Sequence, residues 1–338
     1  MKKILIATDS WRPHIDGVVR HIDAIIRQIK KRGMESVILH PRLFFSFSLP
    51  FYQDYRFTAY VRSKAKQIIE KEKPDYVHIM TSGPVGMAVR RICMENNINF
   101  TTTYSTHFPN YAKEYILKSN VVFNMIYSYL KWFHNAGAKT MVSTISLKEE
   151  VEKRGFNNVI VCPLGVDTEI FKSGSNKPEL LQKAKRPVFT YLGRIAKEKN
   201  VEEFLKCRLP GTKLIIGNGP LKANFEVKYN DVIFAGEKRG QELTDLLSAS
   251  DVFVFPSVTE TFGLVILEAL SCGIPVAAHN VMGPKDIISQ GIDGYLDDNL
   301  VKAALKCLDI PRENCRKKAL KFSWEHSVDI FINNLSQV

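Results

Sequence analysis

Short apolar runs alternate along the chain with segments of helical period. Lys3–Ala7 reads as a strand, after which Val18, Ile22, Ile25, Ile26 and Ile29 recur on one face of a helix over residues 18–29. Ser36–Leu39, Tyr76–Met80 and Phe100–Tyr104 read as further strands with helices between them. The pattern restarts at Pro187–Leu192, a strand followed by a turn and a helix over Val201–Lys206. It continues through Lys213–Ile216, Val232–Ala235, Val252–Phe255 and Pro275–Ala278. Strands alternating with helices predict an α/β chain whose parallel sheets are covered on both faces. Two doubly wound domains are expected, a first over residues 1–165 and a second over 180–322. Val166–Arg186, with its Ser173-Gly174-Ser175-Asn176-Lys177-Pro178 run, reads as the linker. The helical, aromatic tail 323–338 is expected to return to the first domain. Ligands of such sheets bind beyond the carboxyl ends of the strands, which predicts a site in the cleft between the domains.

Composition narrows the class. With 338 residues, 45% hydrophobic and 24% charged, the chain is an ordinary globular one, and its length fits two domains better than one core. Its six cysteines are scattered without a CxxC pair, which argues against a disulfide framework or a zinc site and for a reducing compartment. The opening apolar run breaks at Thr8-Asp9, too soon for a secretory signal, and no apolar run approaches the roughly 18 residues of a membrane span. The net charge of +12 is unevenly placed. Residues 1–165 hold 24 basic against 13 acidic side chains, and the rest hold 23 against 22. Such segregation implies an anionic partner for the first half: nucleic acid, a membrane surface or an acidic substrate.

Three constellations carry chemistry. Gly17, in the stretch Thr8–Arg20 after the first strand, sits where a helix begins, and a glycine there allows close approach to a phosphate at the helix N-terminus. The GxGxxG fingerprint is absent, so a plain strand-to-helix turn explains Gly17 equally well. Arg194 and Lys199, in Tyr191–Asn200, lie on the loop after the second domain's first strand, where a guanidinium fork and an ammonium suit a diphosphate. A solvated basic loop is the simpler alternative. Phe255–Ala269 carries Glu260 and Glu268, eight positions apart, so a helix would point both along one face. Glu268 lies within the apolar stretch Leu264–Leu270, where a buried carboxylate needs a partner such as a ribose hydroxyl. The amides of Phe262, Gly263 and Leu264 open that helix and could meet phosphate.

Together with Gly165-Val166-Asp167-Thr168-Glu169-Ile170-Phe171, Gly217-Asn218-Gly219-Pro220 and Gly273-Ile274-Pro275-Val276, these motifs resemble, over almost the whole chain, the retaining GT-B glycosyltransferases of family 4. The pair Glu260 and Glu268 is the most specific of them. The resemblance implies an α/β GT-B fold of two Rossmann-like domains with an interdomain cleft, and a glycosyltransferase using a nucleotide-sugar donor. It gives Arg194 and Lys199 the leaving diphosphate, Glu260 the transferred sugar and Glu268 the ribose. It places Gly17 behind the phosphates, with Gly193, Thr261, Phe262, Gly263 and Leu264 also at the donor. Residues near Gly217 and Gly219, with Glu237 and Lys238, would line the nucleobase. No DxD metal motif occurs, so neither metal nor cofactor is expected. Retention in this class is explained by front-face attack, in which the leaving phosphate takes the acceptor's proton. Similar enzymes carry a Tyr-His-Thr motif in the first domain, whereas this chain has Thr103-Tyr104-Ser105-Thr106-His107. Either His107 takes over the sugar contact of the histidine missing at Ser105, which is the preferred reading, or that role is lost in this chain.

The acceptor is read from the basic half. Arg42-Leu43-Phe44-Phe45-Ser46-Phe47-Ser48-Leu49-Pro50-Phe51-Tyr52 is expected to be a loop whose apolar side chains insert beneath an anionic headgroup layer. Ile116–Phe133 has an apolar helical stripe that fits a second such surface or the core. The subgroup it looks most like contains diacylglycerol glycosyltransferases, sulfolipid synthases and bacterial α-mannosyltransferases. A UDP-glucose or UDP-glucuronic acid enzyme acting on diacylglycerol, peripheral on the cytoplasmic face of the membrane, is the leading expectation. A GDP-mannose-dependent mannosyltransferase on a lipid acceptor is the alternative. A glycogen- or sucrose-type enzyme with a soluble acceptor is a second rival. A non-catalytic nucleic-acid-binding protein would explain the charge but not Glu260 and Glu268, and no nucleic-acid motif appears.

Overall fold

A computed structural model describes residues 1–13, 16–49, 52–105, 120–174, 176 and 178–338, with side chains left aside at 46–49 and 52–59. The chain divides into two compact units, Met1–Pro163 with Trp324–Val338, and Leu164–Ser323.

In unit 1 the strands β1 (Lys3–Ala7), β2 (Glu35–Leu39), β3 (Phe45–Leu49), β4 (Tyr52–Ala59), β5 (Tyr76–Ile79), β6 (Thr101–Tyr104), β7 (Lys139–Val142) and β8 (Val159–Val161) follow one another. Six form one parallel sheet in the order β2-β1-β5-β6-β7-β8, while β3 and β4 pair apart as an antiparallel hairpin. Near-continuous burial of β1 is what a central parallel strand requires. The helix Gly17–Lys31 lays Val19, Ile22, Ile25 and Ile29 on the core and ends in Lys30 and Lys31, which suit its negative C-terminal dipole. The helix Trp324–Asn333 packs on this unit through Val328 and Phe331. The stretch 42–52 is therefore not the simple loop expected. Period-2 alternation over Phe45-Ser46-Phe47-Ser48-Leu49 builds a strand there.

Unit 2 contains β9 (Val188–Leu192), β10 (Thr212–Ile216), β11 (Ile233–Gly236), β12 (Val252–Phe255), β13 (Val276–Ala278) and β14 (Gly294–Leu296). They form one parallel sheet ordered β11-β10-β9-β12-β13-β14. The chain thus runs outward from β9 to one edge and returns to β12 beside it. The topological switch lies between β9 and β12, and the loops leaving their carboxyl ends flank the crevice where doubly wound sheets bind ligands.

The expected linker is not free. Ser271 Oγ and Arg316 Nη1 donate to the Phe171 carbonyl at 2.5 and 2.6 Å, and Arg316 Nη2 donates to Thr168 O at 2.8 Å. Ser248 Oγ holds Lys172 O at 3.0 Å. One arginine distant in sequence straps residues 168–172 onto unit 2, because its planar fork can serve several carbonyls at once.

Candidate active site

The loop after β9 is a turn that glycine makes possible. A Cβ on Gly217 would stand 1.9 Å from the Gly193 carbonyl oxygen, so the loops leaving β9 and β10 touch backbone to backbone. Ile195 N–H donates to Asn218 O at 2.8 Å and locks that contact. Gly193, Gly217 and Gly219 are thus close-packing positions within the frame that carries the cations. Arg194 projects from this frame and is exposed. Lys199 ends the short 3₁₀ turn Lys197–Lys199, after which Asn200, at φ 51°, reverses the chain into the helix Val201–Lys206.

The loop after β12 carries Glu260. It is not on the helix, contrary to the one-face expectation. Gly263, at φ 93°, breaks the chain's direction, and the helix Leu264–Ser271 begins only after it. Gly263 nonetheless stays close, since a Cβ there would lie 3.6 Å from Glu260 Cγ and 2.9 Å from Ile266 Cδ1. From this loop the Glu260 carboxylate reaches across to the other one. Lys199 Nζ donates to its Oε2 at 2.8 Å, and the Thr261 amide donates to its Oε1 at 3.2 Å. The side chains of Lys199 and Glu260 are 28% and 19% exposed, so the pair is only partly screened by water. Burial, with the carboxylates of Glu198 and Glu260 near it, pushes the Tyr191 phenol up and keeps it neutral beneath the site. Lys199 and Glu260, expected on the diphosphate and the sugar respectively, therefore contact each other, and Arg194 is a second cation on the loop that carries Lys199.

Glu268 lies one turn inside the helix, buried at 5% exposure, and Phe262 and Thr261 are buried beside the turn while Leu264 is half-buried. Burial, with the Glu268 carboxylate acting in the same sense, pushes the Cys272 thiol up to about 12. Glu237 and Lys238 follow edge strand β11, paired with Arg239 at 2.6 Å and Glu242 at 3.3 Å. Missed in the sequence is Gly283, at φ 88°, in the loop after β13, where a Cβ would stand 3.0 Å from the Phe262 carbonyl oxygen and 3.3 Å from that of Glu260. A glycine followed by proline was the available signal.

In unit 1, Gly17 opens its helix as read, but the N-cap is Asp16. The Asp16 carboxylate accepts from the Val19 amide at 2.9 Å and from Ser10 Oγ at 2.5 Å, placing an anion where a phosphate was expected. His107 and Phe51 lie outside the described residues. Arg42 is exposed in the turn Pro41–Leu43. Phe44 packs on the core beneath it, which corrects its reading as an inserting side chain. Phe45 is 69% exposed. Phe47 and Tyr52 are placed in β3 and β4 by their backbone alone. The helix Asn120–His134 buries Tyr127, Leu130 and Phe133 and exposes Val121, Met125, Tyr129 and Trp132 along the opposite stripe. Among the described residues no helix is long and apolar enough to cross a membrane.

Comparison with known proteins places this geometry. The sequence model of Glycosyltransferase Family 4 matches residues 15–170, and that of Glycosyl transferases group 1 matches residues 173–321. The sulfoquinovosyl transferase SQD2 of Arabidopsis thaliana is 27% identical over 307 residues, 83% of this chain but only 60% of the plant protein's length. A GDP-mannose-dependent alpha-mannosyltransferase of Corynebacterium glutamicum is 23% identical, covering 88% of this chain and 76% of its own. The alpha-monoglucosyldiacylglycerol synthase of Streptococcus pneumoniae is 27% identical, covering 90% and 78%. Among solved structures, Anabaena HepE in complex with UDP-glucose superposes with a TM-score of 0.70 at 15% identity, over 99% of this chain and 100% of that one, a likeness of fold. Two parallel-sheet units, both family models and these relatives agree with the resemblance read from the motifs: the chain belongs to the GT-B glycosyltransferases of family 4.

Proposed function

We propose that this glycosyltransferase moves a hexose, glucose or glucuronic acid, from a UDP-sugar to diacylglycerol at an anionic membrane surface, with retention at the anomeric carbon and without a metal ion. The observation that carries the reading is the Lys199–Glu260 pair, held 2.8 Å apart where the loops of β9 and β12 leave the switch point of the second sheet. Arg194, on the same β9 loop and exposed, adds a guanidinium fork of the kind that binds diphosphate oxygens.

Breaking the bond between the sugar's anomeric carbon and the diphosphate oxygen leaves negative charge on the phosphate and positive charge on the ring. Arg194 and Lys199 stabilise the first charge in a partly desolvated setting, where fixed cations act most strongly. Glu260 orients the ammonium and faces the sugar, and the amides of Phe262, Gly263 and Leu264 supply further donors to phosphate. Glu268 holds the ribose hydroxyls. The acceptor hydroxyl bonds to the anomeric carbon as its proton passes to the departing phosphate oxygen, so no separate protein base is needed.

The lipid acceptor rests on three supports: the names of the sulfolipid and glucosyldiacylglycerol relatives, the exposed stripe Val121–Trp132 with Phe45, and the positive excess of residues 1–165. Cytoplasmic lipid leaflets carry the matching negative charge. The direct test replaces Arg194 and Lys199 by alanine one at a time. Each variant is expected to lose about a hundredfold in turnover, on the scale of removing one transition-state donor, while retaining the native circular dichroism spectrum. Unchanged turnover in both variants would reject the assignment. A donor series of UDP-glucose, UDP-glucuronic acid and GDP-mannose in the same assay decides between the lead reading and the mannosyltransferase one.

A further inference from the structure

Behind the ion pair runs a second polar chain, centred on Glu203 and His279, two residues that lie outside the family motifs. Glu203, on the helix Val201–Lys206, directs Oε2 toward two donors at once. One is the side-chain amide of Asn200. The other is His279 Nε2, at 3.0 Å, from the residue that follows β13. The Asn200 amide also donates to the Pro256 carbonyl at 3.2 Å, the residue just past β12. Asn200 is the left-handed residue that ends the Lys199 turn, and Pro256 opens the loop that ends in Glu260. A single carboxylate thereby ties the ends of three strands together around the two loops that bear the site. The Thr259 hydroxyl, donating to Glu198 O at 3.4 Å, adds a lateral link between those same loops.

We infer that Glu203, oriented by His279, is a positioning residue for catalysis: through Asn200 it fixes the Lys199 ammonium against Glu260 and hence against the leaving diphosphate. The inference rests on the proposed diphosphate role of Lys199. Its physical basis is the charge on the shared acceptor. Oε2 of the carboxylate takes charge-assisted hydrogen bonds from both neighbours, whereas the neutral carbonyl oxygen of a glutamine in that place holds both more weakly. The Asn200 link then loosens, and an ammonium displaced by about an ångström loses much of its effect on a transition state. His279 is only 7% exposed, so its ring has little freedom to turn away and leave Glu203 unrestrained.

The test is a double-mutant cycle on the full chain, using UDP-glucose or GDP-mannose, whichever the unaltered protein turns over. Glu203→Gln is expected to lower kcat about tenfold with donor KM changed less than threefold, and His279→Gln about threefold. Glu203→Asp, which keeps the carboxylate charge, should recover part of the loss. In a Lys199→Ala background Glu203→Gln should have no further effect on kcat. Hydrogen exchange gives a readout that does not depend on turnover: amides in 193–200 and 256–263 should exchange faster in Glu203→Gln than in the unaltered chain. An equal tenfold loss in both backgrounds would show an effect that does not pass through Lys199 and would overturn the inference. If Lys199→Ala abolished turnover while Glu203→Gln changed neither kcat nor exchange, this inference would fail and the diphosphate assignment would stand. If Lys199→Ala had no effect on turnover, the diphosphate assignment would fail, and the positioning role with it.

Discussion

Acid should unfold the first unit selectively. His21, His78 and His134 are all buried there, and burial lowers their pKa values to about 4, 3 and 3. His78 is held neutral between Thr101 Oγ1 and Thr103 Oγ1, each 2.8 Å away, and His134 Nδ1 meets Thr102 Oγ1 at 2.8 Å. A histidine whose folded pKa lies below its unfolded value adds stability that is complete above about pH 6.5 and is lost as pH falls toward the folded pKa. At pH 5 the loss is set almost wholly by the unfolded value, because all three folded values lie below 5. Each site then costs about 2 kcal/mol and the three together about 6 kcal/mol, comparable with the whole stability of a typical domain. Asp9 works in the opposite sense, since burial pushes its carboxyl up and acid relieves it, so about 6 kcal/mol is an upper figure.

The assay is convenient because Trp11, Trp132 and Trp324, all the tryptophans of the chain, belong to unit 1. Urea unfolding followed by tryptophan fluorescence reads that unit, while circular dichroism reads both. With a slope of about 2 kcal/mol per molar urea, the fluorescence midpoint should fall by about 2–3 M between pH 7.5 and pH 5. The dichroism trace should separate into two steps. A fluorescence midpoint unchanged between the two pH values would refute the reasoning, because it would mean the three imidazoles take up protons without leaving the core.

Other outcomes follow from particular contacts. Gly217→Ala puts a methyl where the Gly193 carbonyl stands, a backbone clash that no side-chain motion relieves, and should cost about 2 kcal/mol or more by thermal unfolding. Replacing Phe45, Val121 and Met125 together by serine should weaken binding to vesicles containing anionic lipid severalfold while leaving nucleotide affinity unchanged, as read by co-sedimentation and calorimetry. Equal sedimentation would remove these side chains from the membrane surface. Turnover in excess EDTA should equal turnover without it, and a loss restored by Mg²⁺ would overturn the metal-free reading.

The fold was legible where burial dictates composition. Strand β9, Val-Phe-Thr-Tyr-Leu, is buried at every position, and a short apolar run followed by turn residues announces such a strand. The helix Gly17–Lys31 was legible from its spacing alone. The hairpin was not, because clustered phenylalanines drew attention to their apolarity and away from the strict alternation that pairs Phe45 with Ala59 and Phe47 with Phe57. Nor was the strap on residues 168–172, since Arg316 lies roughly 145 positions away and nothing local marks the contact. At the site, the loops and their charged residues could be read, as each follows an apolar strand. The contact between Lys199 and Glu260, 61 positions apart in the chain, could not, because it depends on β9 and β12 being neighbours in the sheet. Glu203 and His279 were invisible for the same reason, being ordinary surface types in sequence that only the order β9-β12-β13 brings together.

Product analysis tests the proposed activity most directly. The purified chain would be incubated with UDP-glucose and with vesicles containing diacylglycerol and anionic lipid, and the extracted lipid examined by mass spectrometry and anomeric NMR. A hexosyl-diacylglycerol with the α configuration of the donor, formed by the unaltered chain and lost in Lys199→Ala, is the predicted result. A β-linked product would contradict retention. Absence of any glycolipid, alongside transfer to a soluble sugar, would contradict the lipid acceptor.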